Sequence, residues 1–201
     1  MRMIQSISVV GAGTMGSGIA LASVLKNYPV ILCDINAQVL ENARTGIAKN
    51  LQVLVDKHKI SVEDRSNALN NLTFTQNLED CKADLIIEAV VEKTEVKISL
   101  FNQLAVINKS DSILASNTSS LSINAIQQSI PYPERVAGLH FFNPAHIMKL
   151  VEVVQGDHTS DATAQELTGY CKAIAKVPVL CKDAPGFIVN RVARHFYLEA
   201  M

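Results

Sequence analysis

Neither sign of charge is in excess: 18 Lys and Arg stand against 19 Asp and Glu, for a net charge of −1, and no basic block gathers anywhere in the chain. That excludes the electrostatic footprint of a nucleic-acid binder or of a protein held on an anionic membrane. The four cysteines, at 33, 81, 171 and 181, form no C-x-x-C pair and have no histidines at zinc-site spacing, so no metal is expected. They read as reduced, mostly buried small apolar side chains of a cytoplasm-like compartment. No apolar run is long enough to span a membrane, and the N-terminus passes almost at once into a strand, with no sign of a targeting segment. Internal repeats and low-complexity tracts are also missing.

What is present is 48% hydrophobic residues over 201 positions, enough for the core of one full domain and too little length for two large ones. The apolar pattern alternates between short strand-like runs and helical periodicity. Strands are expected at Ile7 to Val10, Pro29 to Asp34, Leu72 to Thr75, Ala83 to Val90, Ile113 to Ser116, Val136 to Phe142, Leu150 to Val154 and Val177 to Cys181. Between them, Asn36 caps a long helix through roughly Val55, Ser61 caps a shorter one, and helices pass through Val96, Leu100 and Leu104 and from about Ala162 to Ile174. Strands alternating with helices argue an α/β fold, a doubly wound and mainly parallel sheet, with one antiparallel strand near its end.

The first turn of that pattern carries its own chemistry. In ISVVGAGTMGSGIALAS, Gly11, Gly13 and Gly16 fall between a strand and an apolar helix in G-x-G-x-x-G spacing, which is weak alone and gains weight from this context. Gly11 permits the tight turn, Gly13 lets a phosphate approach the backbone, and Gly16 allows close packing of helix on strand. The helix's first-turn N–H groups lack partners and favour an anion, so a pyrophosphate is expected over residues 11–16, that is Gly11, Ala12, Gly13, Thr14, Met15 and Gly16. Asp34 closes the second strand 23 residues after Gly11, near the separation at which a carboxylate reaches an adenosine ribose. It would repel a 2′-phosphate, and Ile35 and Asn36 supply no offsetting cation, so NAD is favoured over NADP. Capping of the next helix is the plainer use of such an Asp.

Three further stretches follow strands at the end of the sheet where ligands bind. In AVVEKTEVK, Glu92 and Lys97 begin where an apolar strand ends, equally consistent with a solvated helix start. In ASNTSSLSI a group of hydroxyls and one amide can hold a ligand or cap the following helix, and both uses are expected for different residues. In GLHFFNPAHIMKLVEVV, His140 and Glu152 lie twelve residues apart in two apolar runs joined by an Asn-Pro turn. Paired, the carboxylate fixes the imidazole tautomer and leaves the other nitrogen as a base. Unpaired, His140 is a buried structural histidine and Glu152 a surface acid. An NAD site beside a histidine base describes alcohol oxidation.

Together, GAGTMGSGIA, SNTSSLSI, HFFNPAHIMKLVEVV and KDAPGFIVNR resemble the L-3-hydroxyacyl-CoA dehydrogenase family over nearly the whole chain. The resemblance implies a Rossmann-type fold and NAD-dependent interconversion of L-3-hydroxyacyl-CoA and 3-ketoacyl-CoA, as in β-oxidation of fatty acids. It implies His140 as general base, Glu152 as its orienting partner, Ser119 at the substrate's 3-oxygen and near the nicotinamide, and Asn143 holding both ligands. It implies Glu92 and Lys97 beside the nicotinamide ribose, Asn190 near the acyl thioester, and Lys57 at the CoA phosphates, with Asn50 where some members carry a serine.

His146 departs from the apolar residue or proline common in relatives, and is expected to be exposed and not catalytic. Relatives continue into a helical domain that closes the cleft and forms most of a dimer interface. The expected organisation is therefore an NAD-binding domain over 1–183 and the start of that helical domain over 184–201, with homo-oligomerisation weakened in its absence. The tail, with Phe187, Ile188, Val192, Phe196 and Leu198, reads as a helix whose apolar face lacks a cover. Two other readings stay open: a dehydrogenase of another 3-hydroxy acid or sugar acid, and a non-catalytic NAD-binding protein.

Overall fold

The first strand, β1 (Ile7–Val10), is buried along its whole length, the signature of a central strand covered on both faces. The computed structural model describes residues 3–193. From β1 the chain passes into α1 (Thr14–Val24), then β2 (Val30–Cys33), α2 (Ala37–Asp56), α3 (Val62–Asn70) and β3 (Leu72–Thr75). It crosses back to β4 (Leu85–Glu88), α4 (Thr94–Ile107), β5 (Ile113–Ser116), α5 (Ile123–Gln127) and β6 (Val136–Phe141). It ends with β7 (Leu150–Gln155), α6 (Asp161–Ala173) and β8 (Val177–Lys182).

Local chemistry explains several boundaries. The Asn36 side chain accepts from the N–H groups of Gln38 and Val39 at the start of α2, and Leu40, Ala43, Ile47 and Leu51 form the buried stripe of that helix at spacings of three and four. Ser61 and Asp64 cap α3 reciprocally. Ser122 caps α5 by accepting from Ala125 N–H. That helix lies in the hydroxyl-rich stretch, and it is too short for periodicity to mark it.

The strands lie in the order β3-β2-β1-β4-β5-β6-β7-β8, so the chain reverses direction across the sheet between β1 and β4, where a ligand crevice forms at the carboxyl ends. β1 to β6 are parallel, and β7 runs antiparallel to β6. The single antiparallel strand expected near the end is in fact two strands of reversed direction, because β8 pairs parallel with β7. The reason is connectivity: the short Asn-Pro loop can return only antiparallel, whereas α6 makes a crossover that restores a parallel neighbour.

The tail also differs from expectation. Phe187 is 3% exposed and belongs to the core with Ile123, Ile126 and Val154, so it is covered by this domain. Ile188 and Val192 are exposed, while Phe196 and Leu198 lie outside the described residues.

Candidate active site

The glycine turn shows what each glycine is for. Gly11 sits at φ +101°, and a Cβ there would lie 2.5 Å from the carbonyl oxygen of Ala89, so the turn presses on the end of β4. A Cβ on Gly16 would lie 1.7 Å from the Gly11 carbonyl oxygen. At Gly13 a Cβ would meet nothing within 4 Å, so this backbone faces open space beyond the sheet. No side chain caps α1, in contrast to α2, α3 and α6, and its first-turn N–H groups suit a pyrophosphate. Asp34 stands beside the turn, with Oδ2 accepting from Ala12 N–H at 2.8 Å and Oδ1 from Asn36 N–H at 2.9 Å. Asp34 thus braces both the glycine turn and the approach to α2, whose cap is the Asn36 side chain.

A cleft of about 360 Å³ opens next to this turn, lined by Met15, Glu92, Lys97, Asn117, Ser119, His140 and Asn143 among others. Six residues singled out in the sequence thus share one cavity, contributed by the ends of β1, β4, β5 and β6.

His140 and Glu152 face each other directly across β6 and β7. Imidazole Nδ1 lies 2.7 Å from Glu152 Oε2, with the two residues 6% and 0% exposed. A carboxylate only accepts, so Nδ1 carries the proton and Nε2 is left as acceptor. The Phe142 ring lies 4.4 Å and the Phe187 ring 5.8 Å from the imidazole, centroid to centroid.

On the opposite side stands a network that the sequence reading missed in part. Glu88, the last residue of β4, is fully buried. Its Oε1 accepts from Lys97 Nζ at 2.6 Å and from Val90 N–H at 2.7 Å, and its Oε2 from Ser116 Oγ at 2.7 Å. Lys97 also reaches Glu92 Oε2 at 3.1 Å. The other oxygen of Glu92 accepts from the Thr118 hydroxyl and from Ser119 N–H. Partial burial pushes the Glu92 carboxyl up, but the Thr118 hydroxyl, the Lys97 charge and the Ser119 N–H outweigh it and hold the carboxyl below its ordinary range. Lys97 is therefore a buried structural cation at the rim of the cleft. Glu88 had a sequence signal: an acid inside an apolar strand needs a partner, and Lys97 lies nine residues on.

Ser119 is exposed yet fixed at both backbone ends, its N–H on Glu92 and its carbonyl accepting from Asn190 Nδ2 at 3.1 Å. Asn117 ties the loop to β6 by accepting from Phe141 N–H. Asn143 lines the cleft and also a groove of about 160 Å³ between α1 and α2, where Asn50 and His146 lie. Asn50 is exposed and donates to the Gly46 carbonyl. Lys57, exposed at the end of α2, lies about 10 Å farther along at 1.5 Å per residue.

His146, expected to be exposed, is half-buried on the loop between β6 and β7. Lys176 clamps that loop, donating to the carbonyls of Ala145 at 2.6 Å and Met148 at 2.8 Å. Burial first, and then the Lys176 charge, push the His146 imidazole below its ordinary value of 6.5. The unfolded chain therefore binds this proton more readily, so stability falls as pH drops below about 6.5. In urea unfolding at pH 7.5 and 5.5, His146→Asn should show a smaller loss of stability at the lower pH than the unaltered protein does.

Among the described residues no group of His, Cys, Asp and Glu is placed to hold a metal, and no helix is long and apolar enough to cross a membrane.

The family model for the 3-hydroxyacyl-CoA dehydrogenase NAD-binding domain matches residues 6–184. The chain is 46% identical over 198 residues to 3-hydroxyadipyl-CoA dehydrogenase of Escherichia coli K12, covering 98% of this chain and 42% of that protein. It is 40% identical over 205 residues to a probable 3-hydroxyacyl-CoA dehydrogenase of Caenorhabditis elegans, covering 98% and 66%. The crystal structure of 3-hydroxybutyryl-CoA dehydrogenase from Escherichia coli K12 superposes with a TM-score of 0.97 at 45% identity, covering 99% of this chain and 42% of that one. The chain thus spans about two fifths to two thirds of the length of these relatives. NAD is the cofactor that the matched domain binds, in keeping with the open glycine turn and the acid beside it. By family model, identity and fold together, this chain belongs to the 3-hydroxyacyl-CoA dehydrogenases, as their NAD-binding domain.

Proposed function

We propose that the chain carries the catalytic centre of an NAD-dependent L-3-hydroxyacyl-CoA dehydrogenase, interconverting the 3-hydroxyacyl and 3-ketoacyl thioesters. The observation that carries this reading is the buried His140–Glu152 pair, whose imidazole lines the same cleft as Ser119, Asn143 and the glycine-turn residue Met15.

Residues 11–16 hold the pyrophosphate, and Asp34 takes the adenosine ribose while bracing the turn. NAD, when bound, supplies the hydride acceptor. His140 Nε2 takes the proton of the substrate's 3-hydroxyl during oxidation and returns it during reduction. Glu152 keeps Nδ1 protonated and stabilises the imidazolium that forms. Ser119 donates to the 3-oxygen, and the Glu92–Thr118 contacts keep its backbone in place. Lys97 acts at the nicotinamide-ribose side through Glu92, since its ammonium is committed to two carboxylates. Asn143 stands between the cleft and the α1–α2 groove, so the acyl-CoA enters past Asn143 and Asn190 and runs toward Asn50 and Lys57.

Water has free access to this chain's cleft, where Ser119, Asn143 and Asn190 are exposed, so slow turnover is expected of the 201 residues alone. Reduction of acetoacetyl-CoA by NADH tests the reading. Detectable conversion that Ser119→Ala lowers supports it, and tight NADH binding without any conversion at excess enzyme overturns it.

Cofactor choice has a separate test. Asp34→Asn removes a charged acceptor, whose hydrogen bonds are worth about 1.5–3 kcal/mol, so NAD affinity should fall about ten- to a hundredfold. NADP should lose less, because the repulsion of its 2′-phosphate disappears with the charge. Equal losses for both in calorimetry would place Asp34 as a brace of the turn alone.

A further inference from the structure

Glu152 is held by more than His140. Its second oxygen, Oε1, accepts from two consecutive backbone N–H groups, Ile188 and Val189, each at 2.9 Å. These donors come from the segment beyond the last strand, 36 and 37 residues away in sequence. The segment is itself anchored on the site: Phe187 is buried with its ring near His140, and Asn190 Nδ2 donates to the Ser119 carbonyl. Gly186 at φ +74° and Phe187 at φ +49° turn the chain so that the two following N–H groups point back into the sheet.

We propose that the Ile188 and Val189 N–H groups are positioning groups for proton transfer, which hold the Glu152 carboxylate as an anion against His140 Nδ1 and keep His140 neutral and basic. This rests on the reading of His140 as the base.

A buried carboxylate with only an imidazole for partner would draw a proton onto that imidazole, giving a tight ion pair and a base already spent. Two amide donors on the other oxygen share the negative charge and weaken that pull without moving the carboxylate. The other groups around Glu152 do not supply the compensation. Cys181 on β8 is a neutral thiol, pushed up to about 12 by burial and by the carboxylates of Glu152 and Asp183. Asp183 is engaged elsewhere, accepting from Ser122 Oγ and Asn124 N–H. The tail is thereby part of the proton-transfer machinery as well as the way out of the domain.

The test replaces the Val189 amide by an ester in the 201-residue chain, which removes one N–H and keeps the side chain. The His140 ring is then titrated by NMR, its signal assigned by loss in His140→Gln. The midpoint of ring protonation should rise by about one pH unit, a tenfold gain in proton affinity, of the size that loss of a charge-assisted bond produces. Ile188→Ala, which keeps its N–H, should leave the midpoint where it was.

A midpoint unmoved by the ester, or moved as far by Ile188→Ala, overturns the proposal. Should the ester chain fail to fold, amide exchange in the unaltered chain decides. Protection of the Ile188 and Val189 N–H groups that is lost in Glu152→Ala supports the proposal, and exchange at open-chain rates overturns it. These readouts need no turnover, so they stand apart from the acetoacetyl-CoA assay.

Discussion

On the proposed reading of His140 as the base, replacing it by Gln should lower the rate of acetoacetyl-CoA reduction by about 10²- to 10⁴-fold, the usual cost of losing a general acid–base. Gln keeps a polar head able to meet Glu152, so the buried carboxylate is not left without a donor, but it cannot take or give a proton at the position of Nε2. NADH affinity should barely change, because the glycine turn follows β1 and Asp34 follows β2, away from β6. Single turnovers with enzyme in excess make the comparison practical even where steady-state turnover is slow. A rate within threefold of the unaltered chain would remove His140 from the role of base, whatever its hydrogen bonds. The pH dependence gives an independent check: in the reduction His140 gives its proton to the 3-oxygen, so the alkaline limb of the rate profile, where that proton is lost, should be absent in the variant.

Replacing Lys97 by Met destabilises the domain by about 3–5 kcal/mol, the cost of leaving one member of a buried ion pair without its partner. Glu88 and Lys97 are 0% and 1% exposed, so water cannot reach in to compensate. Met matches the aliphatic stem, and the loss is therefore electrostatic rather than a cavity effect. Adding Glu88→Gln should restore part of the stability, since the amide oxygen still accepts from Val90 N–H while the NH2 donates to the Ser116 oxygen, without needing a counter-charge. The pair of urea unfolding curves, single and double variant, reads this directly. A single variant within 1 kcal/mol of the parent would mean the carboxylate finds another partner or takes up a proton.

Much of the architecture can be read from short-range pattern. The strand–glycine turn–helix unit, the Asn36 and Ser61 caps and the stripe of α2 depend on neighbours within a few residues. Local sterics, capping and periodicity decide such features before any tertiary contact forms. Gly11 and Gly16 likewise announce their use, because only glycine fits where a Cβ would strike the Ala89 or Gly11 carbonyl.

The motif HFFNPAHIMKLVEVV placed a histidine and a glutamate in adjacent apolar runs, and a tight return between strands is enough to set them opposite each other. Sequence therefore determined the fold class, the cofactor turn and the candidate base with its partner. Tertiary structure alone decided what those groups rest on. Glu88, an acid in an apolar strand, signals that it needs a partner, but which ones it takes is decided only when β4 and β5 lie side by side and Ser116 meets it. Lys97 reads as a solvated helix residue until α4 packs down over that carboxylate. Phe187 and the N–H groups of Ile188 and Val189 look like an unsupported tail until the chain, having finished β8, turns back onto Glu152. These contacts join residues 9 to 37 positions apart, and no local periodicity encodes them. They form because a charge carried into the interior must find its partners wherever the fold brings them within reach.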